Sequence, residues 1–342
     1  TIHIMPGSIT IALDVMSGDN GPAPAIAGAV KALQNTNDLR IILVGNESII
    51  DQGLTHIDQS SKDRITVIHT DEFIKMDEDI VSAIRNKKNS SMRLSINQVK
   101  TKDAHACVSA GNTGALMSLS KIILKTIDGI DRPAICTSLP TKKNFMQVLD
   151  LGANIECDAQ NLYQFAVMGS SVVKSLEISD NPRVGLLNIG SEEFKGKDEI
   201  KLAAELLNQS NLNYQGFVEG NGMFSGDYDV IVTDGFTGNI ALKSIEGVAG
   251  MIKHFIKSEY NKNLYNKLSA IVSLPVMKGV KKKMDPRVYN GASFLGLNGI
   301  VVKSHGSADD FSYNNAIQTA YYESKNNLLE NIKQYTAREL ND

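Results

Sequence analysis

The chain has 342 residues, 42% hydrophobic and 21% charged, which is a globular composition with enough apolar residues to exclude intrinsic disorder. Thirty-five basic residues against thirty-eight acidic ones give a formal net charge of −3, so the overall charge does not favour nucleic-acid binding. Three widely spaced cysteines exclude a disulfide scaffold and predict reduced thiols in a cytosolic protein.

The predicted elements repeat one unit along the chain. Residues 1–7 do not share the pattern of the rest of the chain, and we interpret them as an expression remnant outside the fold. From residue 9 onward, a short aliphatic or β-branched run ends in a loop rich in Gly, Asn, Asp and Ser, and an amphipathic helix often comes next. In chain order the predicted strands are Ile9–Leu13, Arg40–Val44, Ile65–His69, Ala106–Val108, Gln147–Leu149, Val184–Leu187 and Asp229–Val232. The predicted helices include Ala25–Leu33, Ala115–Leu124, Glu199–Leu207 and Ile240–Ile252.

This alternation of strands and helices predicts a mainly parallel sheet covered by helices on both faces. A continuous run such as Val230–Val232 is typical of a strand that is buried on both sides. No Pro-rich or Ser-rich linker interrupts the sequence. We therefore expect one large α/β domain over residues 9–330.

The loops after the strands carry the residues that we expect to bind a ligand. In an open parallel sheet the ligand crevice lies outside the carboxyl ends of the strands, so we expect all these loops on one side of the sheet. Glycine lets the backbone approach a ligand closely, and the first turn of a helix binds anions such as phosphate. The alternative is that these residues only form turns and helix caps. The predicted phosphate-binding or substrate-binding residues are Asp14, Gly18, Ser109, Gly111, Asn112, Thr113, Asn154, Asn188, Asp234, Thr237 and His305.

Two of these loops share the pattern G-x-T-G, at 111–114 and 235–238, which suggests one physical device used twice. Lys195 follows a predicted strand, where its charge can neutralise a phosphate or a developing oxyanion, although a solvated loop lysine is the alternative. His305 is either a general base or a structural histidine. The sequence contains neither the P-loop motif G-x-x-x-x-G-K-[ST] nor the dinucleotide-binding motif G-x-G-x-x-G, and it has no G-x-S-x-G nucleophile elbow. No spacing typical of metal ligands is present, so we expect no metal site.

Residues 252–287 form a basic amphipathic segment. They contain nine Lys or Arg residues and two acidic ones, a local charge of +7. Apolar residues recur at helical spacing, and Pro275 is predicted to end the helix at an apolar tip, Leu274–Met277. Such a segment binds an anionic membrane surface or an acidic carrier protein, unless it is a core-packed helix with a solvated lysine face. The residues predicted to make this contact are Lys253, Lys257, Lys267, Leu268, Ile271, Leu274, Val276, Lys281 and Lys282.

Taken together, these motifs resemble those of the bacterial phosphate acyltransferases, the acyl-carrier-protein:phosphate acyltransferases of phospholipid synthesis. The similarity runs from Ile9 to about Ala320. One departure is Ser17, where the family usually has Gly. The matching segments are Ile11–Pro22, Lys87–Met92, Val108–Ala115, Arg132–Ile135, Leu149–Asn154, Gly185–Gly190, Thr233–Asn239 and His305–Ser307.

The resemblance implies a reaction in which a long-chain acyl group passes from acyl carrier protein to inorganic phosphate, without a cofactor. It also implies a three-layer α/β/α fold like that of isocitrate and isopropylmalate dehydrogenases, in a homodimer that lies in the cytoplasm, peripherally attached to the membrane. A downstream glycerol-3-phosphate acyltransferase is a further expected partner. Lys195 and Asn239 match motif positions of the family and are the expected catalytic residues.

Three alternatives remain open at this stage. The first is an acyl-CoA-dependent phosphate acyltransferase of the acetyl or butyryl type, which shares the chemistry but not the carrier. The second is an NAD-dependent decarboxylating dehydrogenase, for which the sequence supplies neither an arginine cluster nor acidic metal ligands. The third is a membrane-surface scaffold without enzymatic activity.

Overall fold

The computed structural model describes residues 7–341, apart from the side chains at positions 282, 340 and 341. The proposed expression remnant at 1–7 therefore lies outside the described residues except for Gly7. The strands are β1 (Ile9–Asp14), β2 (Leu39–Gly45), β3 (Ile65–His69), β4 (Ala106–Ser109), β5 (Ala134–Pro140), β6 (Phe145–Leu149), β7 (Arg183–Leu187), β8 (Asn213–Val218), β9 (Val230–Val232), β10 (Ala292–Leu295) and β11 (Ile300–Lys303). The helices are α1 (Ala23–Asn35), α2 (Glu47–Gly53), α3 (Gln59–Lys62), α4 (Ile80–Asn86), α5 (Ser91–Lys100), α6 (Thr113–Leu124), α7 (Ala159–Ser175), α8 (Asp198–Gln209), α9 (Gly235–Asn261), α10 (Leu264–Met284), α11 (Asp310–Lys325) and α12 (Leu328–Asn341).

The strands form one eleven-stranded sheet in the order β3-β2-β1-β4-β11-β10-β5-β6-β9-β7-β8. Strands β3, β2, β1, β4 and β11 pair in parallel and are called the first set. Strands β6, β9, β7 and β8 also pair in parallel and are called the second set. The pairings β11–β10, β10–β5 and β5–β6 are antiparallel. The prediction of a mainly parallel α/β sheet is confirmed.

Helices cover both faces of the sheet, which gives three layers. Consecutive residues of β1 alternate between the faces, because successive side chains in a strand point to opposite sides. Ala12 packs into a core on the first face with α5 and α6, whereas Ile11 and Leu13 pack on the second face with α1 and α11. Over the strands of the second set, helices α7, α8 and α12 cover this same second face of the sheet.

Four strands were not predicted from the sequence: β5, β8, β10 and β11. Two of them, β5 and β10, make all three antiparallel pairings, and those three reversals leave the first and second sets running in opposite directions. The expectation that all ligand-binding loops lie on one side of the sheet is therefore wrong. Within the sheet, the carboxyl ends of the two sets lie at opposite edges.

Helices α9 and α10 form a hairpin that turns at residues 262–263. Small and polar residues of α10, among them Ser269, Ala270 and Ser273, are half-buried, and the Ser273 hydroxyl lies 2.7 Å from the Tyr260 hydroxyl of α9. The prediction that Pro275 ends the helix is wrong, because α10 continues through it to Met284. The residues 274–277 therefore lie within a helix and not at a tip.

Candidate active site

Three polar residues end adjacent strands of the first set. Asp14 ends β1 and pairs in register with Ser109 of β4, which in turn pairs with Lys303 of β11. Cys107 lies two residues before Ser109, and Val301 lies two residues before Lys303. Both belong to the core on the first face, and side chains two residues apart in a strand share a face. The three side chains therefore form a polar row on the first face, at the carboxyl edge of the first set.

Asp14 is fully buried and holds this edge together. The hydroxyls of Ser91 and Ser109 each donate to one of its carboxylate oxygens at 2.6 Å. Burial raises the pKa of Asp14, and these hydrogen bonds oppose the shift. The Tyr313 hydroxyl donates to the Asp14 carbonyl at 3.1 Å. Both carboxylate oxygens are thus engaged within the protein, which gives Asp14 the geometry of a positioning residue.

The loops after β1, β4 and β11, at residues 15–22, 110–112 and 304–309, are called the first rim. Gly18 has φ +111°, and a Cβ there would lie 3.2 Å from the Gly306 carbonyl, so glycine is needed for the close approach of two loops. Asn112 caps α6 by accepting from the Ala115 amide at 3.0 Å. Its amide nitrogen also donates to the Met76 carbonyl at 2.8 Å, beside a groove of about 400 Å³ between residues 16–19 and 73–76.

Other residues in the first rim, and Thr113 directly after it, form fewer hydrogen bonds within the protein. Thr113 is exposed as the first residue of α6. The Gly111 amide donates to the Ser109 hydroxyl at 3.0 Å. The Nδ1 atom of His305 accepts from the Ser307 amide at 3.2 Å. Burial and then Lys243 lower the pKa of His305, so the imidazole favours its neutral form.

Lys303 lies among these loops and is partly buried. Its Nζ donates to the Ala110 carbonyl at 3.3 Å and to the Ser304 carbonyl. Burial lowers its pKa to about 8, Asp19 and Asp14 act in the opposite direction, and Lys243 lowers it further. Over residues 7–341, no carboxylate lies within ion-pair distance of this amine.

The loops after β6, β7 and β9, at residues 150–158, 188–197 and 233–234, are called the second rim. Asp150 is fully buried and accepts from the amides of Ile135 and Asn154 at 2.9 and 2.7 Å. The Asn154 side chain donates to Asp150 and to the Pro133 carbonyl. Asn154 therefore shapes its own loop.

Asp234 caps α9, because its carboxylate accepts from the Thr237 amide at 2.7 Å and from the Thr237 hydroxyl at 3.0 Å. The two G-x-T-G segments are not the same device. Thr113 is the first residue of α6, after the cap Asn112, whereas Gly235 is the first residue of α9 and Thr237 is the third. A Cβ at Gly238 would lie 1.9 Å from the Asp150 carbonyl, so this glycine allows α9 to pack against the second rim.

Asn188 and Lys195 belong to one loop of the second rim. The Asn188 side chain is buried, donates to the Lys195 carbonyl at 3.0 Å and accepts from the Ile189 amide at 2.9 Å. The Lys195 amine lies 2.8 Å from the Glu192 carboxylate, and both side chains are partly exposed. Among the described residues, no hydrogen bond or ion pair joins this loop to the first rim.

Helix α9 begins at the second rim and extends towards the first. Asn239, Lys243 and Glu246 lie at positions i, i+4 and i+7, so they share one face of α9. Lys243 is close enough to Lys303 and His305 to lower the pKa of both, after the larger effect of burial. Asn239 lies one turn before Lys243 and beside Gly152, with its side chain exposed. We call the space between this face of α9 and the first rim the cleft.

The predicted membrane or carrier contacts lie on the α9–α10 hairpin. Its lysines are exposed at positions 253, 257, 267 and 281, and the side chain of Lys282 lies outside the described part of the chain. The apolar residues are exposed as well: Leu268, Ile271, Leu274 and Val276. The hairpin therefore presents an apolar surface among lysines.

Sequence reasoning missed Lys303, Lys243 and Ser91 as site residues. The signal for Lys303 was present, since a lysine directly follows the β-branched run Val301–Val302 just before the predicted His305 loop. Lys243 could be found only by extending the face of the predicted helix from Asn239. Nothing in the local sequence indicates that Ser91 reaches Asp14 across 77 residues of chain.

A cysteine nucleophile has no support from this geometry. Cys107 and Cys136 are buried, which raises the pKa of both thiols, and burial raises the pKa of Cys157 to about 12. Within residues 7–341, no cluster of three or more His, Cys, Asp or Glu residues is arranged to hold a metal ion. No helix in that range is long and apolar enough to span a membrane.

The fold is similar to that of solved phosphotransacetylases and of a phosphate-substrate dehydrogenase. A phosphotransacetylase from Streptococcus pyogenes superposes with a TM-score of 0.62 and 18% identity, covering 94% of this chain and 95% of that one. One from Staphylococcus aureus gives 0.61 and 17%, with 94% and 96% coverage. A 4-hydroxythreonine-4-phosphate dehydrogenase from Klebsiella pneumoniae gives 0.52 and 13%, with 93% and 99% coverage. The predicted dehydrogenase-like α/β/α architecture is confirmed.

Sequence comparison identifies the family. A sequence model of the family described as "Fatty acid synthesis protein" matches residues 9–330. The phosphate acyltransferase of Methylococcus capsulatus is 52% identical over 314 residues, covering 92% of this chain and 93% of that protein. The phosphate acyltransferase of Hydrogenovibrio crunogenus is 52% identical over 326 residues, with 95% and 96% coverage. The chain belongs to this family and is an enzyme of the phosphate acyltransferase type, as its motifs predicted.

Proposed function

We propose that this enzyme transfers a long-chain fatty acyl group from acyl carrier protein to inorganic phosphate and so supplies acyl phosphate for phospholipid synthesis. The observation that carries the proposal is the composition of the cleft. Lys243 and Asn239 supply an amine and an amide on one face of α9, Lys243 is close enough to His305 of the first rim to lower the pKa of its imidazole, and glycine-rich loops form both rims. These groups suit a phosphate ion and a thioester carbonyl, and the family membership supports the same reaction.

The chemistry is a direct displacement. A phosphate oxygen attacks the thioester carbonyl carbon, a carbon–oxygen bond forms, and the carbon–sulfur bond of the acyl carrier breaks. The proton of the hydrogen phosphate ion passes to the leaving thiolate, so the products are acyl phosphate and the free carrier thiol. Phosphate is already an anion near neutral pH, so positioning and electrostatic stabilisation supply most of the rate enhancement.

Lys195 and Asn239 are the proposed catalytic residues. The Lys195 ammonium stabilises negative charge on phosphate or on the carbonyl oxygen, and the Asn239 amide orients phosphate or donates to that oxygen. In this proposal Gly18, Gly111, Thr113 and His305 border the bound substrate. The remaining predicted residues shape the two rims, as their internal hydrogen bonds favour: Asp14, Ser109, Asn112, Asn154, Asn188, Asp234 and Thr237.

The test compares acyl donors. The purified enzyme is mixed with phosphate and either palmitoyl-acyl carrier protein or palmitoyl-CoA at equal concentration, and acyl phosphate is measured by its reaction with hydroxylamine. We expect faster formation from the carrier protein and none without phosphate. Equal or faster turnover of the CoA thioester would instead establish the acyl-CoA-dependent alternative. A change in absorbance at the reduced nicotinamide band, with NAD and no acyl transfer, would establish a dehydrogenase.

Further proposals concern the whole assembly. We propose that residues 9–330 form one domain from which 248–287 protrude, and that the enzyme acts in the cytoplasm as a homodimer. The lysine-bordered apolar surface of the hairpin supports contact with an anionic membrane or the acidic carrier protein. Sedimentation equilibrium tests the dimer, because a monomeric mass at working concentration would contradict it. A single calorimetric transition is the expected result for one domain.

Acyl phosphate is a reactive mixed anhydride, so a second acyltransferase must consume it. We propose a glycerol-3-phosphate acyltransferase as that downstream partner. Addition of such an enzyme and glycerol 3-phosphate to the reaction should convert the acyl phosphate into lysophosphatidate. Hydrolysis of all the acyl phosphate without acylated glycerol phosphate would reject the coupling.

A further inference from the structure

Lys303 is a lysine at the edge of the cleft for which neither the motifs nor the family resemblance provide a role. Lys303 is the last residue of β11. The pairing of β11 with β4 continues one residue further, because the Ser304 amide donates to the Ser109 carbonyl at 2.9 Å. The Lys303 side chain lies on the first face of the sheet, the face on which Leu242 of α9 packs against the core. Its amine is held by the Ala110 carbonyl after β4 and the Ser304 carbonyl after β11.

The hydrogen bonds of this amine leave it with an unused donor. A lysine ammonium has three donors and no acceptor. The carbonyls of Ala110 and Ser304 accept two of them, and no third acceptor contacts the amine in the described part of the chain, which leaves one donor. A partly buried ammonium whose charge is not matched by a contacting carboxylate favours an anionic ligand, because charge-assisted hydrogen bonds are stronger than those to neutral carbonyls.

The surroundings of Lys303 include both signs of charge. Asp14 lies in the same polar row, but its two oxygens accept from serine hydroxyls. The exposed Asp19 carboxylate is directed at Gly306. Lys243 lies across the cleft and pairs with Glu246 at 2.8 Å. Helix α6 begins at Thr113, three residues after Ala110, and its amino end adds a partial positive charge.

We propose that Lys303 binds the attacking phosphate ion directly, with its third ammonium proton, between the first rim and Lys243. This inference rests on the proposed function and deepens it, because it places the phosphate on the first rim and leaves the thioester carbonyl to Asn239 on α9 and Lys195 on the second rim. Lys303 then acts mainly on the binding of phosphate. A lysine that stabilised the oxyanion of the transition state would act mainly on kcat.

A purely structural role is the competing explanation, since Lys303 joins the β4 and β11 loops through two carbonyls. Removal of a merely structural lysine would lower thermal stability and impair all substrates alike. Removal of a phosphate ligand raises the KM for phosphate and leaves the KM for the acyl donor unchanged. The two explanations therefore differ in whether the KM for phosphate rises while the KM for the acyl donor stays unchanged.

The experiment compares Lys303→Met and Lys303→Gln with the wild-type enzyme. Glutamine can still donate to the neighbouring carbonyls, so it provides a second variant if methionine does not fold. Lys174→Met is the matched control, because Lys174 is also partly buried but packs on Tyr335, on the opposite face of the sheet. Phosphate is varied at constant ionic strength and saturating acyl carrier substrate. Thermal unfolding with and without inorganic phosphate gives a readout that needs no turnover.

We expect each Lys303 variant to raise the KM for phosphate at least tenfold, to keep the KM for the acyl donor and to lose the rise in Tm that phosphate gives the wild type. The control should match the wild type. An unchanged KM for phosphate in a folded variant, or a fall confined to kcat, would overturn the inference. If the wild type made no acyl phosphate but its phosphate-dependent rise in Tm still required Lys303, the anion site would stand and the proposed function would fall.

Discussion

At the scale of single residues, Lys195 gives a direct test of the proposed catalytic pair. Its amine is partly exposed, pairs with Glu192 and lies beside Gly190, both in its own loop, so its removal should not disturb the fold. Loss of one charge-stabilising donor costs enzymes about 10²- to 10³-fold in kcat. We expect Lys195→Ala to lose activity on that scale while its Tm stays within about 2 °C of the wild type. The measurement is acyl phosphate formation together with thermal unfolding.

The matched control for that prediction is Lys197→Ala. Lys197 is an exposed lysine two residues further along the same loop. We expect this variant to keep nearly full activity. A well-folded, fully active Lys195→Ala enzyme would remove Lys195 from the reaction.

A second residue-scale prediction concerns Glu323, which is buried between α11 and β10. The Ser293 hydroxyl donates to one carboxylate oxygen, and the other oxygen has no partner among the described residues. Burial raises its pKa from 4.5 to about 7. Between these values the folded chain holds a proton that the unfolded chain has lost, so stability decreases as pH rises and the loss is complete above pH 7.

The shift corresponds to about 3 kcal/mol in the free energy of unfolding between the two limits. Glu323→Gln cannot titrate, so we expect its stability to fall by roughly 2 kcal/mol less than that of the wild type between pH 5 and pH 8. Urea unfolding at both pH values measures this difference. Glu330→Gln, at an exposed position on α12, should retain the wild-type dependence. An unaltered pH dependence in Glu323→Gln would contradict the assignment.

At the scale of elements, the packing of α9 on the second rim depends on Gly238. A Cβ at this position would lie 1.9 Å from the Asp150 carbonyl, which belongs to the backbone and cannot rotate away. Gly238→Ala must therefore displace the start of α9, together with Asn239, at a cost of about 1–3 kcal/mol or more. We expect a Tm lower by several degrees and a large loss of activity.

The same helix supplies the control. Gly247 has no atom within 4 Å of an added Cβ, so Gly247→Ala should stabilise the enzyme by up to about 1 kcal/mol through helix propensity. Thermal unfolding of both variants separates packing from propensity. If the two alanine variants were equally stable and active, the close contact would have no role in placing α9.

The lengths and compositions of the strands explain which of them could be predicted from the sequence. Aliphatic or β-branched runs indicated β1, β2, β3, β4, β6, β7 and β9, and these seven strands were predicted. Strand β10 has four residues, none of them β-branched, and β5 ends in proline, so their local signals are weak. Strand β11 carries the β-branched run Ile300–Val302 and could have been predicted. Strands β5 and β10 reverse the strand direction across the sheet. Because they were not predicted, all the ligand-binding loops were expected on one side of the sheet. The miss of β11 left Lys303 without a position at the carboxyl edge of the first set, because that position depends on the pairing of β11 with β4.

The candidate site shows the same limit. Sequence reasoning found the loops, because glycine, asparagine and serine after an apolar run mark the carboxyl end of a strand. It could not tell which polar side chains are satisfied internally. Asn154, Asn188 and Asp234 use their polar atoms to hold their own loops or helix ends, and that outcome depends on hydrogen-bond partners that are set by the fold.

At the scale of the whole molecule, α9 connects features that the sheet keeps apart. The carboxyl ends of the two sets lie at opposite edges of the sheet. The sheet alone therefore does not bring a substrate group bound at one rim close to residues of the other rim. With 27 residues, α9 is about 40 Å long, begins at the second rim and carries Lys243 to the first. Its far end belongs to the hairpin, so the surface proposed to meet the membrane is continuous with the cleft wall.

That continuity leads to a prediction about membrane attachment. Leu268 and Ile271 are 55% and 67% exposed on α10, among the lysines of the hairpin. Burial of each side chain in a lipid interface contributes about 1.5–3 kcal/mol, and each nearby lysine adds about 1 kcal/mol on an anionic surface. We expect Leu268→Ser/Ile271→Ser to bind vesicles of anionic phospholipid at least tenfold more weakly in co-sedimentation, and wild-type binding to weaken in 0.5 M salt.

The control is Leu202→Ser, which removes a comparably exposed leucine from α8, outside the hairpin. It should bind vesicles like the wild type. Sedimentation of the double variant shows whether its mass has changed, because the same side chains would be lost from any contact between subunits. If the double variant kept both its mass and its vesicle affinity, neither the membrane nor a second subunit would depend on this surface. Contact of the hairpin lysines with the acidic carrier protein would then be the remaining proposal for this segment.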